Sequence, residues 1–398
     1  QQETGGLPAA ISGTGRVIFD AEAIASQFMA EPLKNSFGPD VPKRLAAMIG
    51  ATEPSFDQTG FIESCLAGFE SMELTERARH ISDALGRYLP ADRSRALAII
   101  VASLGPEIGD AGLTGMDGFV YLPFVFFVAD HGLDHFDESM NAQYELTKRF
   151  TAEFSIRAFL ERYPEQTLAR LSNWARDSNV HVRRLVSEGS RPRLPWAPRL
   201  RSFQADPGPV VELLELLKDD PEEYVRRSVS NNLNDIAKDH PDLVVEIARN
   251  WWADSDTQRR KLIRHGLRTL IKQGHPGALD ILGYGPDSPV RISAVRVEPR
   301  RVEIGSKVRI EIDLENPSTT EGGGLADLIV HFVKANGSTS PKVFKGAEVT
   351  LAAGETTTVS KTVSVKQHST RTHYPGTHRV EVQLNGEAVP GGRFELEA

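Results

Sequence analysis

The sequence predicts a mainly α protein, a HEAT-like helical-repeat solenoid followed by a C-terminal immunoglobulin-like β-sandwich. Three observations carry that expectation. The windows DSNVHVRRLVSE (177–188) and DPEEYVRRSVSN (220–231) begin 43 residues apart and match in register at Asp, Val, Arg, Arg, Val and Ser. That period belongs to stacked helical pairs. From about residue 41 to 283 apolar residues recur at three- and four-residue spacing, and beyond GYGPDSP (283–289) they alternate with polar ones. Those are the periods of amphipathic helices and of half-buried strands.

Taken in order, residues 1–28 are rich in Gly, Ala and Ser and form an expected N-terminal extension with no assigned role. Residues 29–284 form the expected repeat domain. FIESCLAGFESM (61–72), RARHISDALGRYL (77–89) and RALAIIVASL (95–104) show helical spacing, punctuated at Pro90, Pro164, Pro221 and Pro241. KRFTAEFSIRAFL (148–160) is expected as a helix placing Glu153 four residues before Arg157. In the second repeat window, Asp220 followed by Pro221 predicts an N-cap and a first-turn proline, with Val225, Val229, Leu233 and Ile236 as the buried stripe. The loop SRPRLPWAPRL (190–200) interrupts the repeats, and a looser third window, DSDTQRRKLIRH (254–265), follows the second after 34 residues. Residues 290–398 contain RISAVRV, SKVRIEIDL, ADLIVHFVK, TVSKTVSV, HRVEVQL and RFELEA, the strand signature of an immunoglobulin-like sandwich.

Composition narrows the function. The net charge of −8 argues against a uniformly basic nucleic-acid binder, but residues 176–201 hold seven arginines against Asp177 and Glu188. Residues 257–272 hold six basic side chains and no acid. A locally positive groove in an acidic protein still steers DNA. The single cysteine, Cys65, excludes an internal disulfide, and no run of 18 apolar residues suits a membrane span. A cytoplasmic, monomeric protein is expected. DHGLDHFDE (130–138) pairs His131 with His135, but Gly132 and the turn-rich composition predict a polar loop rather than a metal site. His368, His373 and His378 are expected to be solvated.

The acids on the repeat helices mark the candidate site. Arg227, Asn231 and Asp235 are spaced by four, as are Arg184 and Glu188, so Glu153, Glu188 and Asp235 are expected to point from successive elements toward one side. Acids among arginines on a polyanion-binding face repel phosphate, which suits chemistry or a cationic ligand. An N-alkylated base is such a ligand. Its hydrolytic release needs negative charge near the anomeric carbon and a carboxylate for water. An aromatic adds cation-π attraction; Trp196 is the exposed candidate and Trp174 the buried one. Arg157, Arg183, Arg184, Arg191, Arg193, Arg226, Arg227, Arg259, Lys261 and Arg264 are the phosphate-backbone candidates, although adjacent arginines cannot both face a groove. Lys307, Arg309, Lys342, Lys345 and Arg371 are the sandwich's basic residues.

EPLKNSFGP (31–39), ELTKRFTAEFSIRAFL (145–160), HVRRLVSEGSRPRLPWA (181–197) and VRRSVSNNLNDIAKDHPDLV (225–244) make the chain resemble the AlkC branch of the AlkD-like DNA alkylation repair glycosylases. The resemblance implies a monofunctional glycosylase, without metal or cofactor, that removes cationic bases such as 3-methyladenine from double-stranded DNA and initiates base excision repair. It also implies a HEAT-like array that wraps the duplex without swinging the base out. Several members of that branch carry a C-terminal immunoglobulin-like domain. By motif, Glu153, Glu188 and Asp235 match the family's acidic positions and Trp196 its aromatic loop residue. Glu188 is the first choice for sugar-cation stabilisation and water positioning, with Glu153 and Asp235 supporting the base and the water. The alternative is a non-enzymatic HEAT scaffold that binds DNA or protein.

Overall fold

The computed structural model describes residues 33–108, 117–367 and 372–397 and divides the chain into a unit ending at Phe150 and one starting at Thr151. The extension 1–28 lies outside the described residues, as do His368 and Arg371. Among the described residues no helix is long and apolar enough to cross a membrane.

The first unit holds α1 (Asp40–Thr52), α2 (Gln58–Leu66), α3 (Leu74–Tyr88), α4 (Arg93–Ala102), α5 (Leu122–His131) and α6 (Phe136–Thr147). The α3 start is fixed by a capping box between Glu73 and Glu76, the α4 start by the Asp92 carboxylate. Phe37, Leu45, Ile49, Phe61, Ile81, Leu85, Phe124 and Phe127 form its interior. His131 ends α5 against Phe127, and His135 is bonded through Nδ1 to Ser94 Oγ at 3.0 Å across the expected turn.

The second unit continues with α7 (Ile156–Arg162), α8 (Pro164–Trp174), α9 (Val180–Gly189), α10 (Arg201–Ala205), α11 (Gly208–Leu217), α12 (Glu223–Ile236), α13 (Pro241–Trp252), α14 (Thr257–Gly266), α15 (Arg268–Lys272) and α16 (Pro276–Ile281). The three repeat windows are α9, α12 and α14 with their preceding turns, and α12 packs between the other two. Val225, Val229, Leu233 and Ile236 are buried as the stripe predicts, each stabilising the stack by about 1.5–3 kcal/mol.

Two expectations about helix starts are corrected. Asp220 is not the N-cap of α12, which begins at Glu223. Its Oδ1 accepts from Glu222 N at 2.9 Å, and Asp177 does the same for Asn179 N at 2.8 Å. The repeated Asp therefore closes an Asx turn one step before the helix. Glu153 is not helical either. Residues 148–155 form the turn before α7, where Thr151 Oγ1 donates to Glu153 Oε2 at 3.0 Å and also accepts from Glu153 N at 3.2 Å.

Among the described residues the sandwich has eight strands, β1 (Arg291–Glu298), β2 (Arg301–Glu303), β3 (Lys307–Glu315), β4 (Gly322–Val333), β5 (Thr339–Leu351), β6 (Thr356–Ser364), β7 (Gly376–Leu384) and β8 (Glu387–Glu397). One sheet runs β1-β3-β6 and the other β2-β8-β7-β4-β5, antiparallel throughout except for β2 beside β8. Every second residue of β3 from Val308 to Leu314 faces the core with Leu328, Val330, Val380, Val382 and Phe394. His373 and His378, expected to be solvated, are buried, and His378 stacks on Phe394 at 5.0 Å. His378 lies on the inward register of β7, so pleating overrides the polarity of its neighbours. The helices meet the sandwich closely at Gly274, whose φ is +72° and whose missing Cβ leaves room for Gly386 Cα.

Candidate active site

The site is built where the turn before α7, the end of α9, the loop 190–200 and α12 meet. Residues four apart on a helix share a face, so Arg184 and Glu188 on α9 lie beside each other, with Arg184 Nη2 3.5 Å from Glu188 Oε1. Arg184 Nη1 also donates to Glu153 Oε2. Arg191, just past α9, donates from Nη1 to Glu188 Oε1 at 2.6 Å and from Nε to Asp235 Oδ2 at 2.8 Å. Ser228 Oγ on α12 donates to Glu188 Oε2 at 2.6 Å, and Lys238 Nζ reaches Asp235 Oδ1 at 2.9 Å. The three expected carboxylates are thus joined in one chain, each neighbouring pair sharing an arginine.

Glu188 and Asp235 are 5% and 1% exposed, and each is paired with cationic side chains, as a buried carboxylate requires. Burial acts to raise the Glu188 carboxyl, but the Arg184 and Arg191 guanidiniums outweigh it and hold the group below its ordinary value. Burial likewise acts to lower Arg184, and Glu153 and Glu188 reverse that, leaving it firmly charged. Among the described residues, Glu153 Oε1 is the one oxygen of the three carboxylates to which no group donates. The arrangement can therefore keep fixed negative charge at Glu188 and Asp235 and offer an acceptor at Glu153.

Trp196 is 70% exposed at the tip of the loop, with φ +63°. A left-handed conformation costs a non-glycine residue about 1–3 kcal/mol and persists only where the surroundings impose it. Here they do. Arg157, expected on the phosphate surface, is instead 4% exposed and donates to the carbonyls of Gly189 at 3.1 Å, Arg191 at 2.7 Å and Pro198 at 3.2 Å. Burial lowers it to about 10, the largest influence on it. A guanidinium presents donors in a planar fork, and this one fastens both ends of the loop.

Other phosphate candidates are also turned inward. Arg191 lies within the carboxylate chain. Arg183 is paired with Asp220 of the next repeat, Nε to Oδ2 at 2.6 Å, and Arg226 is buried on the Asp220 carbonyl. Arg193 binds Asp239, Arg259 binds Asp219, and Arg264 binds Glu348 of β5. For the adjacent pairs on helices, such as Arg183 and Arg226 beside their neighbours, the inward turn follows from helix geometry, which sends successive side chains about 100° apart. Arg227 and Lys261 are exposed and have no acidic partner among the described residues. They line a 160 Å³ cavity between α12 and α14 with Ser230 and His265.

Sequence reasoning missed three groups. Tyr224 lies beside Arg184, Ser228 fixes Glu188, and a groove of about 1010 Å³ on the sandwich is lined by Arg300, Arg301, Arg379 and Arg393. Arg379 and Arg393 are register partners on β7 and β8, a like-charge pair of the kind that destabilises a sheet. The signal for that pair is pairing across a hairpin, which is unreadable until the register is known. Of the basic sandwich residues expected from sequence, Lys307 is exposed, Arg309 faces Glu311, Lys345 faces Glu348 and Lys342 lies over Phe344.

Comparison with known proteins agrees with this architecture. The family described as DNA alkylation repair enzyme matches residues 149–269, and the one described as uncharacterised protein YhaZ, C-terminal Ig-like domain, matches 291–398. The chain is 34% identical over 365 residues to the uncharacterized protein YhaZ of Bacillus subtilis (strain 168), covering 92% of this chain and 99% of that one. It is similar, with a TM-score of 0.83 and 37% identity over 92% of this chain and 99% of the other, to the Pseudomonas fluorescens alkylpurine DNA glycosylase AlkC bound to DNA containing an abasic site analog. The chain belongs to the AlkC family of alkylpurine DNA glycosylases.

Proposed function

We propose that this protein hydrolyses the N-glycosidic bond of cationic alkylated purines, of the 3-methyladenine type, in duplex DNA. It does so as a monofunctional glycosylase that opens base excision repair. The observation that carries the reading is the chain of Glu153, Arg184, Glu188, Arg191 and Asp235, which keeps three carboxylates together on a face otherwise rich in arginine. A positively charged purine departs as a neutral base, taking the electron pair of the C1′–N bond. The deoxyribose then carries the positive charge, and fixed carboxylates stabilise it electrostatically. Water adds to C1′ and its proton passes to a carboxylate, for which the open Oε1 of Glu153 is suited. Glu188 and Asp235 then supply the standing negative charge, and Trp196 the aromatic contact.

Arg227 and Lys261 contact phosphates directly, while Arg259 and Arg264 exchange part of their internal pairing for phosphate when DNA arrives. The arginine groove of the sandwich holds the backbone at a second place. Residues 29–284 act as the catalytic part and 290–398 as an auxiliary DNA clamp in a cytoplasmic monomer. Incubating the protein with methylated duplex and assaying free 3-methyladenine tests the reading. Release at a rate above the spontaneous one supports it; none, with DNA binding intact, leaves a non-enzymatic scaffold.

A further inference from the structure

Tyr224, in the first turn of α12, is 46% exposed and is not among the residues that the repeat windows share. Arg184 Cζ lies 5.4 Å from its ring centroid, and His181 meets it edge-on at 5.8 Å with an interplanar angle of 72°. The same guanidinium is bonded to Glu153 and stands 3.5 Å from Glu188. The ring therefore caps the guanidinium that joins two carboxylates, and about half of its surface is open.

The charge of Arg184 beside the ring is balanced by Glu153 and Glu188. His181 is held below its ordinary value by burial and then by Arg184, so its imidazole is neutral. Packing around the phenol raises it first, Arg184 opposes, and Glu153 and Glu188 add to the rise, so the hydroxyl stays protonated. Among the described residues no hydrogen-bond partner is assigned to that hydroxyl. The negative face of an aromatic ring attracts a cation, more strongly once water is excluded.

We propose that Tyr224 is a specificity-determining residue, whose open face reads the positive charge of the alkylated purine and selects it over an uncharged base of the same shape. This rests on the glycosylase reading and adds a selectivity element to it. If the ring only shields the Arg184 ion pair from water, its loss weakens every duplex alike.

The test uses the full chain with Tyr224→Leu, Tyr224→Phe and Tyr224→Trp. The probes are three duplexes containing 3-methyladenine, its uncharged isostere 3-deaza-3-methyladenine, or no lesion. The readout is the ratio of half-saturating concentration in single-turnover excision to equilibrium Kd for the uncharged isostere. Tyr224→Leu is expected to reduce the preference for the charged lesion roughly fivefold to thirtyfold. Tyr224→Phe keeps most of the preference and Tyr224→Trp enlarges it. Parallel loss on all three duplexes, or an unchanged ratio in a folded Leu or Trp variant, overturns the proposal. If the wild type releases no base at all, the glycosylase reading fails instead, and equilibrium binding to the intact charged duplex still decides the role of Tyr224.

Discussion

Replacing Glu188 by Gln isolates the charge of the central carboxylate from its shape. The Gln carbonyl keeps the acceptor position facing Arg191 Nη1 at 2.6 Å and Arg184 Nη2 at 3.5 Å, and its amide turns to Ser228 Oγ, which accepts where it formerly donated. Packing survives and one unit of buried negative charge is lost. A unit charge about 4 Å from a developing cation, at an effective dielectric near 20, contributes about 4 kcal/mol, roughly a thousandfold in rate. Loss of a single preorganised electrostatic group costs on the order of 10²- to 10³-fold in other enzymes, so the two estimates agree. Affinity for undamaged duplex should hold or rise, because a charge that repels phosphate is gone. Single-turnover release of methylated base measures the first quantity and fluorescence polarisation the second. Excision within about tenfold of wild type, in a variant whose thermal melt shows it folded, would refute the electrostatic role of Glu188.

Arg157→Met keeps the side-chain stem and leaves the carbonyls of Gly189, Arg191 and Pro198 without their donor, at about 1–3 kcal/mol for each buried group orphaned. Hydrogen exchange of residues 190–200 should rise and excision should fall more than undamaged-duplex affinity; unchanged exchange would remove the stapling role. Arg227→Ala and Lys261→Ala should each lower the slope of log K against log salt by about 1, and Arg379→Ala with Arg393→Ala by up to about 2, whereas Arg193→Ala, bound to Asp239, should leave it nearly unmoved. His265 is lowered from 6.5 to about 4 by burial first, then by Arg268 and Arg227. A depressed folded value stabilises above the unfolded one, and that contribution is lost as pH falls from about 6.5 to about 4, so urea midpoints should decline across this window and decline less in His265→Gln.

The repeat stripe and the strand alternation of β3 were legible because both are periodic signals set by neighbours a few residues away. The helix starts were not. An Asx turn and an N-cap use the same residue type, so Asp177 and Asp220 look like caps although Asn179 and Glu222 occupy that position. The fate of Arg157 depends on a loop that folds back onto it from 41 positions away at Pro198, which no local pattern encodes. β5 escaped notice because Pro341 and Gly346 break its alternation, and β2 because three residues carry no period. Trp196 was legible from its proline- and arginine-rich setting, whereas Tyr224 was not, since only the packing of α9 against α12 brings it to Arg184.

The two best-matched repeats show how one pattern divides into two tasks. In each arginine pair the first member is tied to Asp220, Arg183 across the repeats to its side chain and Arg226 within its own repeat to its carbonyl. The second member faces the other way, and its fate is decided four residues later, where the first repeat has Glu188 and the second has Asn231. Glu188 draws Arg184 into the carboxylate chain. Asn231 carries no charge, and its Oδ1 is engaged by His265 at 3.2 Å and by Arg268 at 3.1 Å, so Arg227 is left to solvent. A single exchange of acid for amide, at equivalent helical positions, thus separates an arginine held in the carboxylate chain from one left exposed, while the second helix still contributes Asp235 to that chain. The consequence for the proposed chemistry is physical: the carboxylates are fixed by their cationic partners before DNA arrives, and Arg227, two turns before Asp235 on α12, stands exposed for phosphate.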